Sequence, residues 1–349
     1  RQNTTASNNT AVGFSALTAN TTGAQNVALG TYALLDHTTG AYNTALGYAA
    51  LYESTTGASN VAVGASALQE LTTAAYNTAV GTSSLAANTT GGSNTAVGYG
   101  SLDANTTASY NVALGYTTLG ANTTGDRGVA LGYAALALNT TGTENVGIGY
   151  LALDANTTGA ANTAIGSGAL GANTTANYNV AVGINAGTAI TTGASNTHIG
   201  GLAGNTTAAG NYQTLIGYNV EASGTGIDNE VVIGNGVNGG GAATVRIGVA
   251  AGGTATLSLD GSDTSWAAAS DSRLKKDIAD STVGLSFINA LRPVTFKWQA
   301  KDAVADTLPQ YDADSSDPVY GVGKAHHGFI AQEVKTVIDA HSDVANGHN

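Results

Sequence analysis

A block of five residues, closing on a branched aliphatic residue and a glycine, recurs fourteen times at an unbroken spacing of 17 residues. The copies run from Asn9-Thr10-Ala11-Val12-Gly13 through Asn94-Thr95-Ala96-Val97-Gly98 to Glu230-Val231-Val232-Ile233-Gly234. A fixed period of this length means that each unit stacks on its neighbours, so a solenoid is expected and a single globular core is not.

Within the block, the second and fourth positions alternate with the third, which is strand periodicity. The second position is always Thr or Val, the third usually Ala, and the fourth always Val, Leu or Ile. After the glycine comes an apolar pair such as Ala50-Leu51 or Ala135-Leu136, then a polar turn such as Asn122-Thr123-Thr124-Gly125. Each coil therefore reads as strand, glycine corner, short second strand and turn. The glycine suits a corner that needs positive φ or close approach, and the opening Asn suits an amide ladder. The fourth-position aliphatics are expected inside. The Ala face is then left for sister chains to cover, because a 17-residue coil encloses only a thin core. Fourteen coils at about 4.8 Å each make a rod of roughly 65 Å.

Composition divides the chain. No Lys precedes Lys275, and all three prolines, Pro293, Pro309 and Pro318, lie in the last part. This predicts a repeat rod over 1–235, a Gly-rich neck over 236–269 and a different module over 270–349. There is no Cys, so neither disulfides nor thiolate metal sites are available. The net charge of -12 argues against a nucleic-acid surface. No apolar run approaches a membrane span, so no membrane insertion is expected. The opening Arg1-Gln2-Asn3, without Met, suggests a missing N-terminus.

The stretch Asn43 to Leu51 carries Asn-x-Ala-Leu-Gly followed by Tyr-x-Ala-Leu, which resembles the head repeats of trimeric autotransporter adhesins. The resemblance covers residues 9 to about 235 and implies parallel β-rolls packed as threefold trimers. The period here is longer than that family's usual repeat. Tyr48, Tyr99, Tyr116, Tyr133, Tyr150 and Tyr218, in the position after the glycine, are candidates for facing saccharide or for packing at a trimer seam. A plain spacer is the simpler reading of the same repeats.

The C-terminal part contains Ser270-Asp271-Ser272-Arg273-Leu274-Lys275-Lys276-Asp277-Ile278, then Leu291-Arg292-Pro293-Val294, Phe296-Lys297-Trp298 and His327-Gly328-Phe329-Ile330-Ala331-Gln332-Glu333-Val334. The pattern predicts a helix over 284–291, a strand over 295–298 and a second helix over 330–340 with Val334, Val337 and Ile338 on one face. These blocks resemble the peptidase S74 family, the intramolecular chaperone of phage tail spikes and fibres. The resemblance implies a trimer and autocleavage at Ala269–Ser270, with Ser270 as nucleophile and Lys275 as base. A serine needs such a base, and lysine serves when its pKa is lowered. That family continues past the Gln332-Glu333 motif, so this version is expected to be C-terminally incomplete.

Other motifs carry less. His326, His327, His341 and His348 could bind metal and Asp312, Asp314 and Asp317 calcium, but adjacent histidines diverge on a strand and the EF-hand spacing is missing. Neither a metal nor a cofactor is expected. The Asn-Thr-Thr triplets match a glycosylation pattern but fit a turn code better. The fold expected is an all-β repeat solenoid, a parallel β-roll in a homotrimeric rod, with a small α+β chaperone module. The function expected is a virion tail fibre or spike that self-cleaves once, turns over no external substrate, and engages a host cell-surface receptor and other tail proteins. A bacterial surface adhesin with the same folding module is the alternative; a polysaccharide-degrading spike would need a carboxylate pair in a groove.

Overall fold

The computed structural model describes residues 5–250, 252–258, 289–297, 299–300 and 326–340. The chain divides into two compact units, Arg1–Ala269 and Ser270–Asn349.

The first unit is a parallel β-solenoid, in line with the head-repeat resemblance. Fourteen strands stack in sequence order, from β1 (Thr10–Val12) and β2 (Val27–Leu29) to β13 (Thr214–Tyr218) and β14 (Val231–Asn235). Thr10 pairs with Val27 and Val12 with Leu29, one whole repeat away, and the same offset recurs up the stack. The offset shortens at β15 (Thr244–Val249), where Val231 pairs with Val245. There the sheet turns antiparallel into β16 (Thr254–Ser258). Arg246 ties this end, donating to the Asn238 carbonyl at 3.0 Å and to the Thr254 hydroxyl at 3.2 Å.

The interior differs from the sequence expectation. Strand alanines such as Ala28, Ala45, Ala62 and Ala96 are fully buried, while the fourth-position aliphatics face outward, six of them exposed, from Val12 at 57% to Leu114 at 38%, and the other eight half-buried. A 17-residue coil is too narrow to hold two large aliphatics face to face. Its core instead pairs each small strand Ala with one Leu from across the coil, such as Leu34, Leu51, Leu102 or Leu136.

The segment carrying those leucines is a run of turns and not the expected second strand. Leu34 (φ 52), Leu102 (φ 54) and their equivalents from Leu17 to Leu170 are left-handed, as are two further positions in most coils. Each left-handed Leu costs about 1–2 kcal/mol. Burial of the whole side chain returns about 1.5–3 kcal/mol, enough to offset it.

Most buried asparagines are satisfied by ladders. Asn26 Oδ1 accepts the Asn43 backbone amide at 2.8 Å, and Asn43 Nδ2 donates to the Gly57 carbonyl at 2.8 Å. A second amide column runs through the turns: Asn105 Nδ2 donates to Asn88 Oδ1 at 2.9 Å, and Asn122 Nδ2 to Asn105 Oδ1 at 3.1 Å. A third consists of threonine hydroxyls, as in Thr106 donating to the Thr123 carbonyl at 3.1 Å.

The corner glycine is required twice over. Gly98 has φ +131, and a Cβ placed there would overlap the Gly115 carbonyl of the next coil.

In the second unit, β17 (Val294–Phe296) pairs antiparallel with β18 (His326–Gly328), and α1 spans Ala331–Ala340. The strand starts one residue before the expected position, at Val294 directly after Pro293. The expected helix over 284–291 lies mostly outside the described residues.

Candidate functional site

Ala269, Ser270 and Lys275, the expected cleavage site and catalytic pair, lie outside the described residues. What the described part of the second unit does show is a junction between two of the sequence blocks. Arg292, from Leu291-Arg292-Pro293, makes a two-pronged pair with Glu333 of Gln332-Glu333-Val334: Nη2 to Oε1 at 2.6 Å and Nε to Oε2 at 3.1 Å. Hydrogen bonding to Arg292, with its charge, holds the Glu333 carboxyl below the usual range, and the same contacts raise the guanidinium. The parallel fork fixes an angle as well as a distance between β17 and the start of α1. Blocks 41 residues apart in sequence thus belong to one local structure.

That junction agrees with the comparison to known families. Residues 270–343 match the Peptidase_S74 family, described as chaperone of endosialidase. The match begins at Ser270 and includes β17, β18 and α1. No match was found among curated proteins or among solved structures. The S74 segment therefore carries the functional information, and the solenoid must be read from its own surface.

On that surface, Tyr99, Tyr116, Tyr133 and Tyr150 do stand in a row. Consecutive rings lie 5.3–5.4 Å apart and within 4–16° of parallel. Their faces are turned to one another along the stack, so the inner rings offer edges and hydroxyls outward, not flat platforms. Tyr48 instead meets Tyr32 edge-on at 5.9 Å.

The Asn-Thr-Thr turns are closed to modification by their packing. Asn88, Asn105, Asn122 and Asn156 are fully buried. Their Nδ2 atoms, which a glycan would have to occupy, are donating within the ladder.

His326 and His327 are the backbone register partners of Phe296 and Thr295 in the β17–β18 ladder, while His341 and His348 lie outside the described residues. Among the described residues no group of three or more His, Cys, Asp or Glu side chains is placed to hold a metal ion. No helix among them is long and apolar enough to cross a membrane.

Two histidines escaped the sequence reading. His37 replaces an Asn in the turn column, with Nε2 2.8 Å from the Gly40 carbonyl, and burial lowers its pKa. His198 replaces a strand Ala and is wholly buried, with the Gln213 side chain as a polar neighbour. It fills space left by two glycines: Gly187 and Gly204 stand where other coils place the buried Leu, and a Cβ at Gly204 would strike the His198 ring. Burial pushes its pKa down to about 4. The signal was present in sequence as three simultaneous departures from the repeat.

A polar cleft of about 600 Å³ opens where the coils become irregular, lined by Thr207, Glu221, Ser223 and Asn238 among others. Glu221 is already engaged there, accepting from the Asn205 amide at 3.0 Å and the Thr206 hydroxyl at 2.8 Å.

Proposed function

We propose that the chain forms the shaft of a trimeric phage tail fibre or spike, folded by its S74 segment and then released from it. The observation that carries this reading is the outward aliphatic ridge of the solenoid sheet. Val12, Leu29, Leu46, Leu114, Ile165 and Ile199 all sit on it with more than a third of their surface exposed. A strip about 65 Å long and about 10 Å wide, one short strand, is on the order of 650 Å². That is at the upper limit for a monomer in water, and such patches mark interfaces. Sister chains cover this face, and not the Ala face, which is already filled. The S74 family implies trimerisation, which supplies the stoichiometry.

Release proceeds by two successive acyl transfers, first to serine and then to water. Ser270 Oγ attacks the Ala269 carbonyl carbon while the neutral Lys275 amine takes the hydroxyl proton. The C–N bond breaks, the proton passes to the Ser270 nitrogen, and an ester joins Ala269 to Ser270 Oγ. Water hydrolyses the ester, leaving an Ala269 carboxylate and a new N-terminus at Ser270. With the template gone, the rod's persistence depends on its unfolding rate. The released shaft then presents its surface to a host receptor.

The test uses the full-length protein. Native mass measurement should give a trimer, and the wild type should separate at Ala269–Ser270 without added protease. Ser270→Ala and Lys275→Ala should assemble uncut. A stable monomer with a folded rod, or a Ser270→Ala chain still cut at this bond, overturns the corresponding half of the proposal.

A further inference from the structure

A second tyrosine row, five residues before the corner glycine, differs from the stacked one in three ways. Tyr42, Tyr76, Tyr110, Tyr178 and Tyr212 are 62–71% exposed. All five are left-handed, with φ between 56 and 65. They recur every 34 residues, on alternate coils, with the place at 144 taken by Glu.

The left-handed backbone is costly for a bulky aromatic residue. The buried leucines recover that cost by burial; these tyrosines do not. Asn8, Ser59, Ser93 and Asn229 occupy the same position in other coils, so the backbone does not call for Tyr. The rings are also too far apart to stack on each other, at two coil spacings or about 9.6 Å. Gln25, Glu144 and Ala161 share that backbone too, so it is the choice of a large exposed aromatic there, without a return in packing, that points to a use in binding.

We infer that Tyr42, Tyr76 and Tyr110 form a docking track for an extended, uncharged, β-linked polysaccharide. This rests on the receptor-engaging reading of the shaft and gives it a place and a ligand class. In such a polymer alternate sugars are turned over, so the same apolar face returns at every second residue, over a length close to two coils. A row with Tyr on every coil would not match that alternation; a row on every second coil does. Tyr joins a flat apolar body to a polar tip, which suits a sugar face. Charge excludes the acidic polymers: Arg127, the one cation in this row, is held by Glu144 of the next coil at 3.0 Å. The gaps between rings are floored by short side chains, Ser59 and Ser93, which leave room for the intervening sugar.

The experiment titrates the intact trimer with cello- and chito-oligosaccharides of two to six residues, with maltohexaose as the α-linked control. Affinity should rise by about tenfold for each added pair of sugars, and little for an odd one, as successive rings engage. The triple variant Tyr42→Ser, Tyr76→Ser, Tyr110→Ser should lose the hexasaccharide by about a hundredfold or more while keeping its melting temperature and trimeric mass. Wild type that binds neither β-linked series, or binds maltohexaose equally well, overturns the track. So does a triple variant that dissociates, because the row is then a seam between chains. Trimer assembly and self-cleavage are read separately, so loss of the track leaves the fibre reading standing.

Discussion

The coils up to Gly183 and those beyond it solve one packing problem in different ways. In the first region most levels repeat the last: strand Ala inside, left-handed Leu opposite, and Asn in the columns, with His37, Ser54 and Leu71 as departures in the turn column. Beyond it, Gly187 and Gly204 remove two leucines and His198 fills the space from the other side. Ile190 and Thr207 replace turn-column asparagines, and Gln213 and then Glu230 end the strand-side column. At His198 the solenoid tolerates a large substitution because the levels on either side compensate. The contacts of any residue lie mostly one coil away, not within its own coil.

The sharpest break of that comparison is Gly98→Val in the regular region. It should cost on the order of 4 kcal/mol per chain, from strain at φ +131 and from overlap with the Gly115 carbonyl. An unchanged melting temperature would refute the corner assignment.

Next comes pH, which should touch the irregular region at His198 and the regular one at His37, far from β6. His198 has a folded pKa of about 4 against an ordinary 6.5. The unfolded chain therefore binds the extra proton first, and stability falls as pH drops from about 6.5 towards 4, by at most about 3 kcal/mol. The protection factor against hydrogen exchange, corrected for the intrinsic rate at each pH, should fall at β12 (Thr197–Ile199) through that window while it changes less at β6 (Thr95–Val97). The triple replacement His198→Ala, Gly187→Leu, Gly204→Leu should restore the regular core and abolish the difference. A β12 that stays acid-sensitive in this variant would exclude His198 as its cause.

A smaller effect is expected from Asn105→Leu. It leaves Asn88 Oδ1 and Asn122 Nδ2 each short of a partner and should cost about 1–3 kcal/mol in a urea titration. Leu71 occupies the same column naturally, beside Ser54 and not between two asparagines, so Leu71→Ala should show an ordinary cavity loss and no polar penalty. Smallest of all is Arg127→Gln, whose pair with Glu144 is solvent-exposed and should leave the melting temperature within error.

The repeat length, strand positions and corner glycine were legible because strand alternation and a fixed period are one-dimensional signals. Which strand face points inward was not. Val and Leu outrank Ala on any scale of hydrophobicity, and only the coil's width makes Ala the core residue. The left-handed leucines were equally hidden, since nothing in Ala50-Leu51 distinguishes a strand from a turn. For the S74 segment, motif order carried the recognition, and the Arg292–Glu333 fork shows why two of those blocks accompany each other.

The buried columns have one more consequence. A chain of near-identical units can thread itself one whole unit out of step and still form almost every bond. His37, Ser54, Leu71 and Ile190 interrupt the asparagine column at unequal intervals. Any such displacement changes which coils these odd members lie between. These odd members work as the graduations on a ruler, marking which coil of the chain is which.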